Sequence, residues 1–287
     1  MRRFFSPAVV ETLQGAGAGA ALEPRQGPVS VLFCDVRGFS RKVEQWKDDL
    51  RPLLTQVSDA LGVMTGSIMK YEGVIADFQG DAALAFWGWP SHVEDAAMSA
   101  CRAALLIERK FREANQDPAH ALYGFRIGIG VGFGDAIAGQ IGSQEQIKVG
   151  VFGPVVNLAS RLQNLTKQIG VAILVDGTTA AALAKGLPES AERCRRIARL
   201  RPAGIDTPVD VHALVPHHAG DEGLSAAELR TYDEAVDAVI AGDWPRARDL
   251  LKRMPAQDGP SNFLRVEICR HDGAPPADWD GAFSLGR

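Results

Sequence analysis

The sequence predicts an α+β fold with a ferredoxin-like βαββαβ core, additional strands and a C-terminal helical extension. Two observations predict the core: short β-type segments alternate with helical stretches between residues 29 and 216, and one adjacent pair of these segments is separated only by a turn. A third observation predicts the extension, because the composition becomes helical after residue 216. Strands that alternate with helices around a single hairpin are typical of this layout.

The first predicted strand is VSVLFCDV, residues 29–36, a short apolar run followed by RGFS and a helical stretch towards Lys70. Residues 15–28 are rich in Gly, Ala and Pro, which indicates a linker. We therefore expect residues 1–28 to form a short N-terminal helical segment and a linker, and the main domain to cover residues 29–216.

The next elements are a hairpin and a helix. Residues 73–88, GVIADFQGDAALAFWG, have β-type segments on both sides of Gln79 and Gly80. Ser91 and Glu94 then match a capping box before a helical stretch. The run therefore predicts a β-hairpin followed by a capped helix.

The second half of the main domain begins with FRIGIGVGFG, residues 125–134, in which apolar residues alternate with glycines. The glycine face admits two interpretations, tight packing of a helix on the sheet or one wall of an active site. Pro154 suits the first turn of the next helix. Further strand, helix and strand patterns follow, and residues 217–287 predict a helical extension with a turn at Gly242.

The composition excludes several classes of protein. The net charge is −4 and the pI about 5.9, so no basic field is present for nucleic acid or an anionic membrane surface. No apolar stretch reaches the roughly 18 residues of a membrane span, and no signal peptide is recognisable. The four cysteines are dispersed: Cys34, Cys101, Cys194 and Cys269. We expect a cytoplasmic protein without a membrane segment.

Two carboxylates stand among apolar neighbours, Asp35 at the end of the first strand and Asp81 just after the hairpin turn. Burying a lone carboxylate is costly, so the two indicate a shared partner, most simply divalent cations. The alternative is purely structural, with one aspartate at a strand end and the other capping a turn.

Three segments together resemble a known family. FCDVRGFS (33–40), FQGDAALAF (78–86) and GPVVNLASRL (153–162) are similar, in order and separation, to the signature segments of class III adenylyl and guanylyl cyclases. The resemblance covers about Val29 to Val215. It implies an enzyme that closes a nucleoside triphosphate (NTP) into a 3′,5′-cyclic monophosphate, releases pyrophosphate and acts in cyclic-nucleotide signalling.

The resemblance also implies the metal and phosphate sites. Asp35, Asp81 and the carbonyl of Val36 would hold two divalent cations per site, Mg²⁺ or Mn²⁺. Backbone amides would face the β- and γ-phosphates, namely those of Gly38, Phe39 and Ser40.

Two helix residues match the family's transition-state pair. Asn157 would position the ribose and Arg161 would stabilise negative charge on the α-phosphate, and their i,i+4 spacing places both on one helix face. Without the motif, a solvent-facing Asn157 and a surface salt bridge of Arg161 would be the simpler interpretations. In the family these residues and the metal aspartates of one site come from opposite subunits, which implies a head-to-tail homodimer.

Base selection departs from the family. Adenylyl cyclases commonly have Lys at the position of Asp77 and Asp or Thr at that of Gly150, whereas guanylyl cyclases have Glu and Cys. An ionised Asp77 only accepts hydrogen bonds, which suits guanine, but the choice between ATP and GTP stays open. Asp77 beside the turn could equally face solvent. A phosphate-contacting Lys of many relatives is also absent, and Arg201 is close enough in sequence to replace it.

Two other functions are compatible with these departures. A degenerate cyclase domain would act as a nucleotide-binding or dimerisation module, and an atypical base pocket would suit a pyrimidine nucleotide cyclase. The N-terminal segment RRFFSPAVVETLQG resembles the connection to sensors in the family, which implies an upstream sensor domain or a regulatory protein.

Overall fold

The structure is a computed structural model that describes residue 10 and residues 22–45, 50–90, 95–142, 147–186, 193–216 and 223–286. The predicted capping box of Ser91 and Glu94 and residues 1–9 and 11–21 of the predicted N-terminal segment lie outside the described residues. The chain divides into two compact units, residues 1–163 and residues 164–287.

The first unit contains the βαββαβ order that the sequence predicts. Its elements are β1 (Arg25–Arg37), α1 (Phe39–Gln45), α2 (Arg51–Lys70), β2 (Val74–Gln79), β3 (Ala82–Trp87), α3 (Ala96–Ala114), β4 (Arg126–Gly142), β5 (Ile147–Phe152) and the greater part of α4 (Pro154–Ile169). The strands lie in the order β2–β3–β1–β4, and every neighbouring pair is antiparallel. The α+β prediction is therefore confirmed.

Strand β1 begins at Arg25, four residues before the predicted start of the main domain. Residues 25–28 pair with residues 135–138 of β4, which is long enough to offer them a partner. Part of the segment assigned to a linker is therefore strand, because a neighbouring strand satisfies its backbone groups.

The glycine face of β4 packs against α4. A Cβ at Gly130 would lie 2.1 Å from the Ala159 carbonyl oxygen, and one at Gly132 would lie 3.1 Å from a methyl group of Val155. Side chains on this face would push the helix away. The interpretation of the glycines as a site of tight helix packing is confirmed.

The hairpin of β4 and β5 brings β5 close to β2. Val149 and Val151 of β5 belong to the same buried cluster as Val74 and Ala76 of β2. Because side chains alternate along a strand, the residues between these valines face the other way. The hairpin thus presents Lys148 and Gly150 on the face opposite this core.

The second unit contains the rest of the chain. Its further elements are β6 (Ile173–Asp176), α5 (Gly177–Gly186), β7 (Arg193–Arg201), β8 (Val209–Val215), α6 (Ala226–Ile240), α7 (Trp244–Leu251), α8 (Gly259–Arg270) and β9 (Phe283–Ser284). The strand order is β6–β8–β7–β9. The predicted turn at Gly242 separates α6 from α7 with φ +78°, whereas β7, α8 and β9 are additions to the prediction.

The C-terminal helices are held to β7 by a buried ion pair. The Arg195 guanidinium donates to both carboxylate oxygens of Asp258, at 2.6 and 2.8 Å, and the two side chains are only 9% and 8% exposed. The Tyr232 ring stacks 4.0 Å from the same guanidinium. Asp258 also caps the start of α8 by accepting from the Ser261 amide. The extension is therefore an integral part of the second unit.

Within the described ranges, no helix combines the length and the apolar character needed to cross a bilayer.

Candidate functional site

Strands β1 and β3 bring Asp35 and Asp81 together. Asp35 lies directly opposite Ala82, the neighbour of Asp81 in the chain. Burial, and then the negative charge of Asp35, raise the pKa of Asp81 to about 6. Burial also raises the pKa of Asp35, against the opposing effect of Arg37. The two aspartates thus form one partly buried acidic site with unfavourable mutual repulsion.

This acidic site fits a hard divalent cation. Across the part of the chain that the structure describes, no group of three or more His, Cys, Asp and Glu residues could hold a metal ion. Two carboxylates alone suit Mg²⁺, which is commonly bound by one or two carboxylates together with substrate phosphates. A cation there would also offset the repulsion between Asp35 and Asp81.

The predicted phosphate-binding backbone follows directly on β1. Val36 is buried beside Asp35, and Gly38 has φ +92°, a left-handed conformation that favours glycine. This turn leads into the short helix α1, which begins at Phe39. The amides of residues 38–40 therefore lie in this turn and at the start of α1, directly after the acidic site.

Helix α4 directs one side chain towards this site and the predicted catalytic pair elsewhere. The Gln163 amide donates to Asp35 Oδ2 at 3.5 Å. At about 100° per residue, Arg161 lies roughly 160° and Asn157 roughly 120° around the helix from Gln163. Both are exposed. Asn157 and Arg161 therefore point away from the Asp35 of their own chain.

The residues predicted to select the base, Asp77 and Gly150, lie beside a lysine that the sequence did not point to, Lys148. Asp77 Oδ1 accepts from the Phe78 amide at 3.0 Å, and Asp77 Oδ2 accepts from Lys148 Nζ at 3.2 Å. The side chains of Asp77 and Lys148 are 43% and 56% exposed. Lys148 lies two residues before Gly150 on the same face of β5. Asp77 thus faces solvent in part, but its carboxylate is oriented from both sides.

Arg201, the predicted substitute for the phosphate-contacting lysine, has partners within the second unit. Its Nε donates to the Asp206 carbonyl at 3.1 Å, and its Nη1 donates to Asp280 Oδ1 at 3.0 Å. Its Nη2 also contacts the other carboxylate oxygen of Asp280. A phosphate would have to compete with Asp280 for this guanidinium, and the role of Arg201 stays a prediction.

Sequence reasoning missed two residues of this region, Gln163 and Lys148. Gln163 stands one residue after the third motif, and Lys148 has the i,i+2 spacing from Gly150 that places strand residues on one face. The positions of both residues relative to the motifs were visible in the sequence. Their contacts with Asp35 and Asp77 were not.

The comparisons with known proteins identify the class of this domain. A family model described as the adenylate and guanylate cyclase catalytic domain matches residues 22–204. This match covers more than half of the chain, and the chain belongs to this family.

Individual proteins are similar to this chain in sequence or in fold. Adenylate cyclase 1 of Rhizobium meliloti (strain 1021) is 26% identical over 194 residues, which are 65% of this chain but only 27% of that protein. The adenylyl cyclase CyaB from P. aeruginosa has a TM-score of 0.58 at 24% identity, over 69% of this chain and 98% of that one. The guanylyl cyclase Cya2 has a TM-score of 0.57 at 25% identity, over 69% and 96%. The chain thus spans only a fraction of its curated relative's length.

Proposed function

We propose that this chain is a metal-dependent nucleotide cyclase that converts a purine NTP, ATP or GTP, into the 3′,5′-cyclic monophosphate and pyrophosphate. The observation that carries the proposal is the juxtaposition of Asp35 and Asp81, whose carboxyl pKa values are both raised, in a chain of the cyclase family. A nucleotide bound with its counter-cations would supply the positive charge that this acidic site lacks.

The metal site would consist of Asp35, Asp81 and the carbonyl of Val36. Two divalent cations, Mg²⁺ or Mn²⁺, would lower the pKa of the ribose 3′-hydroxyl and offset the charge of the phosphates when bound. Gln163 keeps Asp35 oriented for this role. No side chain needs to act as the general base.

The remaining residues would bind and orient the substrate. The amides of residues 38–40 would donate to the β- and γ-phosphates. Asn157 would hold the ribose, and Arg161 would donate to the α-phosphate as negative charge grows there. The 3′-oxygen then attacks the α-phosphorus in line, its proton passes to solvent, and the bond to the pyrophosphate oxygen breaks.

We include in this proposal a head-to-tail homodimer with composite sites. The observation that supports it is the direction of Asn157 and Arg161, which point away from their own Asp35 and so are suited to the Asp35 of a second copy. An apolar pair on the first unit also suits such a partner: Ile137 and Phe152 lie directly opposite each other and are 48% and 57% exposed.

The wider biological setting is also a proposal. We place the enzyme in cyclic-nucleotide signalling in the cytoplasm, under an upstream sensor domain or a regulatory protein. The resemblance of the N-terminal segment to sensor connections supports this setting.

The first experiment is a product assay with each of the four NTPs and Mn²⁺ or Mg²⁺. We expect one cyclic purine monophosphate as the main product, detected by mass spectrometry. A cyclic pyrimidine product would instead establish the pyrimidine alternative. Tight NTP binding without any cyclic product would contradict catalysis and favour the nucleotide-binding module.

Mixing inactive variants tests the composite site. Asp35→Asn and Arg161→Ala should each be inactive, and an equal mixture should recover about a quarter of wild-type activity, because half of the dimers are mixed and each has one intact site. Asp59→Asn and Lys167→Ala change exposed residues on α2 and α4 and should remain active. A mixture as inactive as its components would rule out sites shared between subunits.

A further inference from the structure

We propose that Lys148, together with Asp77, reads the hydrogen-bonding edge of guanine, so that Lys148 is a specificity-determining residue and GTP is the preferred substrate. The proposal rests on the cyclase function proposed above. The second base-reading position of the family, Gly150, has no side chain with which to do this.

The geometry of β5 makes Lys148 the replacement for that missing side chain. Lys148 and Gly150 share one face of the strand, and Lys148 pairs directly with Ile141 of β4. A Cβ at Gly150 would lie 2.8 Å from Ile141 Cδ1, so a side chain there would displace Ile141. The ammonium group of Lys148 lies on this same face, 3.2 Å from Asp77 Oδ2.

The ion pair between Asp77 and Lys148 should contribute little to the stability of the fold. Both side chains are about half exposed, and solvent screens the attraction between such groups. Lys252 and Asp249 form an ordinary surface pair of this kind, three residues apart on one helical turn. The pair of Asp77 and Lys148 instead joins two strands from distant parts of the sequence, and the Phe78 amide fixes the other oxygen of Asp77. The pair thus places the oriented Asp77 carboxylate, an acceptor, beside the Lys148 ammonium group, a donor.

This arrangement of donor and acceptor matches guanine. The Asp77 carboxylate can accept from guanine N1–H and from the exocyclic amine, and the Lys148 ammonium can donate to O6. Adenine offers one donor, its exocyclic amine, and one acceptor, N1, so it can make two such contacts rather than three. The pair therefore favours guanine over adenine by one hydrogen bond to a charged group.

The test compares substrate preference rather than activity. The ratio of kcat/KM for GTP to that for ATP is measured in wild type, Lys148→Met and Asp77→Asn, with Lys252→Met as the matched control. This ratio does not depend on how much of a variant folds. We expect a wild-type ratio above one, a decrease of roughly tenfold or more in Lys148→Met and in Asp77→Asn, and no change in Lys252→Met.

The outcomes separate this inference from the proposed function. An unchanged ratio in Lys148→Met, or a wild type that prefers ATP, overturns the inference while leaving the cyclase in place. If wild type forms no cyclic product, the proposed function fails. The ratio of GTP affinity to ATP affinity is then measured by displacement of a fluorescent guanine nucleotide, and an equal ratio in wild type and Lys148→Met overturns the role of Lys148.

Discussion

The carboxylates of Asp35 and Asp81 in the first unit and that of Asp258 in the second unit have pKa values that are shifted in opposite directions. In the first unit, burial raises the pKa of Asp35, and burial together with Asp35 raises that of Asp81 to about 6. In the second unit, burial also acts to raise the pKa of Asp258, but hydrogen bonds from Arg195 and Ser261 outweigh it and lower the pKa.

The difference lies in where the compensating positive charge comes from. The chain itself provides a guanidinium for Asp258, so that carboxylate is stabilised as an anion in the folded protein. For Asp35 the charge of Arg37 does not outweigh burial, and Asp81 is further opposed by Asp35. The comparison indicates that Asp258 serves the fold, whereas Asp35 and Asp81 lack a compensating charge from the chain, which a cation would supply in the proposed metal site.

The largest effect is expected from Asp81→Asn. It removes a proposed metal ligand and should lower kcat/KM by about 10³-fold, since a bound cation supplies several kcal/mol of transition-state stabilisation. The same change removes a poorly compensated charge, so the melting temperature without metal should not decrease. Activity is measured with saturating Mn²⁺ and stability by thermal unfolding with a chelator. A marked loss of stability would show that Asp81 is structural and would break the comparison.

Asp258→Ala should do the reverse. It leaves the Arg195 guanidinium buried without its partner and removes the cap of α8, which should reduce the free energy of unfolding by about 3–5 kcal/mol. Urea unfolding measures this loss. Asp249→Ala, which removes an exposed ion pair with Lys252, is the control and should unfold like wild type. Equal behaviour of the two variants would contradict a structural role for Asp258.

The contribution of Asp258 should also depend on pH in a defined direction. Because its folded-state pKa lies below 3.8, the carboxylate stabilises the fold at pH values above 3.8. That stability is lost as the pH falls through the lowered pKa. The difference in unfolding free energy between wild type and Asp258→Ala should therefore be constant near neutral pH and shrink below 3.8. If this difference in unfolding free energy grew as the pH fell, the pKa of Asp258 would not be lowered in the folded protein.

The sequence predicted the acidic site and missed much of its surroundings for a physical reason. Asp35 and Asp81 each lie in a local pattern, a strand end and a hairpin turn, and the resemblance of the motifs to the family implies that both bind metal. Lys148 and Asp77 come from strands 71 residues apart, and they meet because the β4–β5 hairpin closes over β2. Gln163 reaches Asp35 over 128 residues.

The C-terminal region shows the same limit. The sequence predicted a turn at Gly242 because glycine and the flanking helical composition are local signals. It did not predict α8, although Asp258 and Pro260 are a cap and a first-turn residue typical of a helix start. What makes that helix part of the fold is the ion pair of Asp258 with Arg195, and a composition rich in Pro, Gly and Asp does not indicate such a partner.

The smallest effect is expected from Gln163→Leu, which sharpens the comparison at Asp35. The Gln163 amide acts to lower the pKa of Asp35 and orients one of its oxygens. Its loss should raise the Mn²⁺ concentration needed for half-maximal activity about tenfold, as for partners that orient metal ligands, with kcat nearly unchanged at saturating Mn²⁺.

Gln168→Leu makes the same chemical change five residues further along α4, at an exposed position, and should leave the Mn²⁺ requirement as in wild type. If Gln163→Leu matched this control, Asp35 would be held by its strand alone. If it were instead as inactive as Asp35→Asn, Gln163 would do more than orient a ligand. The expected intermediate result would show that the chain positions Asp35 with a neutral amide, which fixes the carboxylate without supplying the charge that a cation brings.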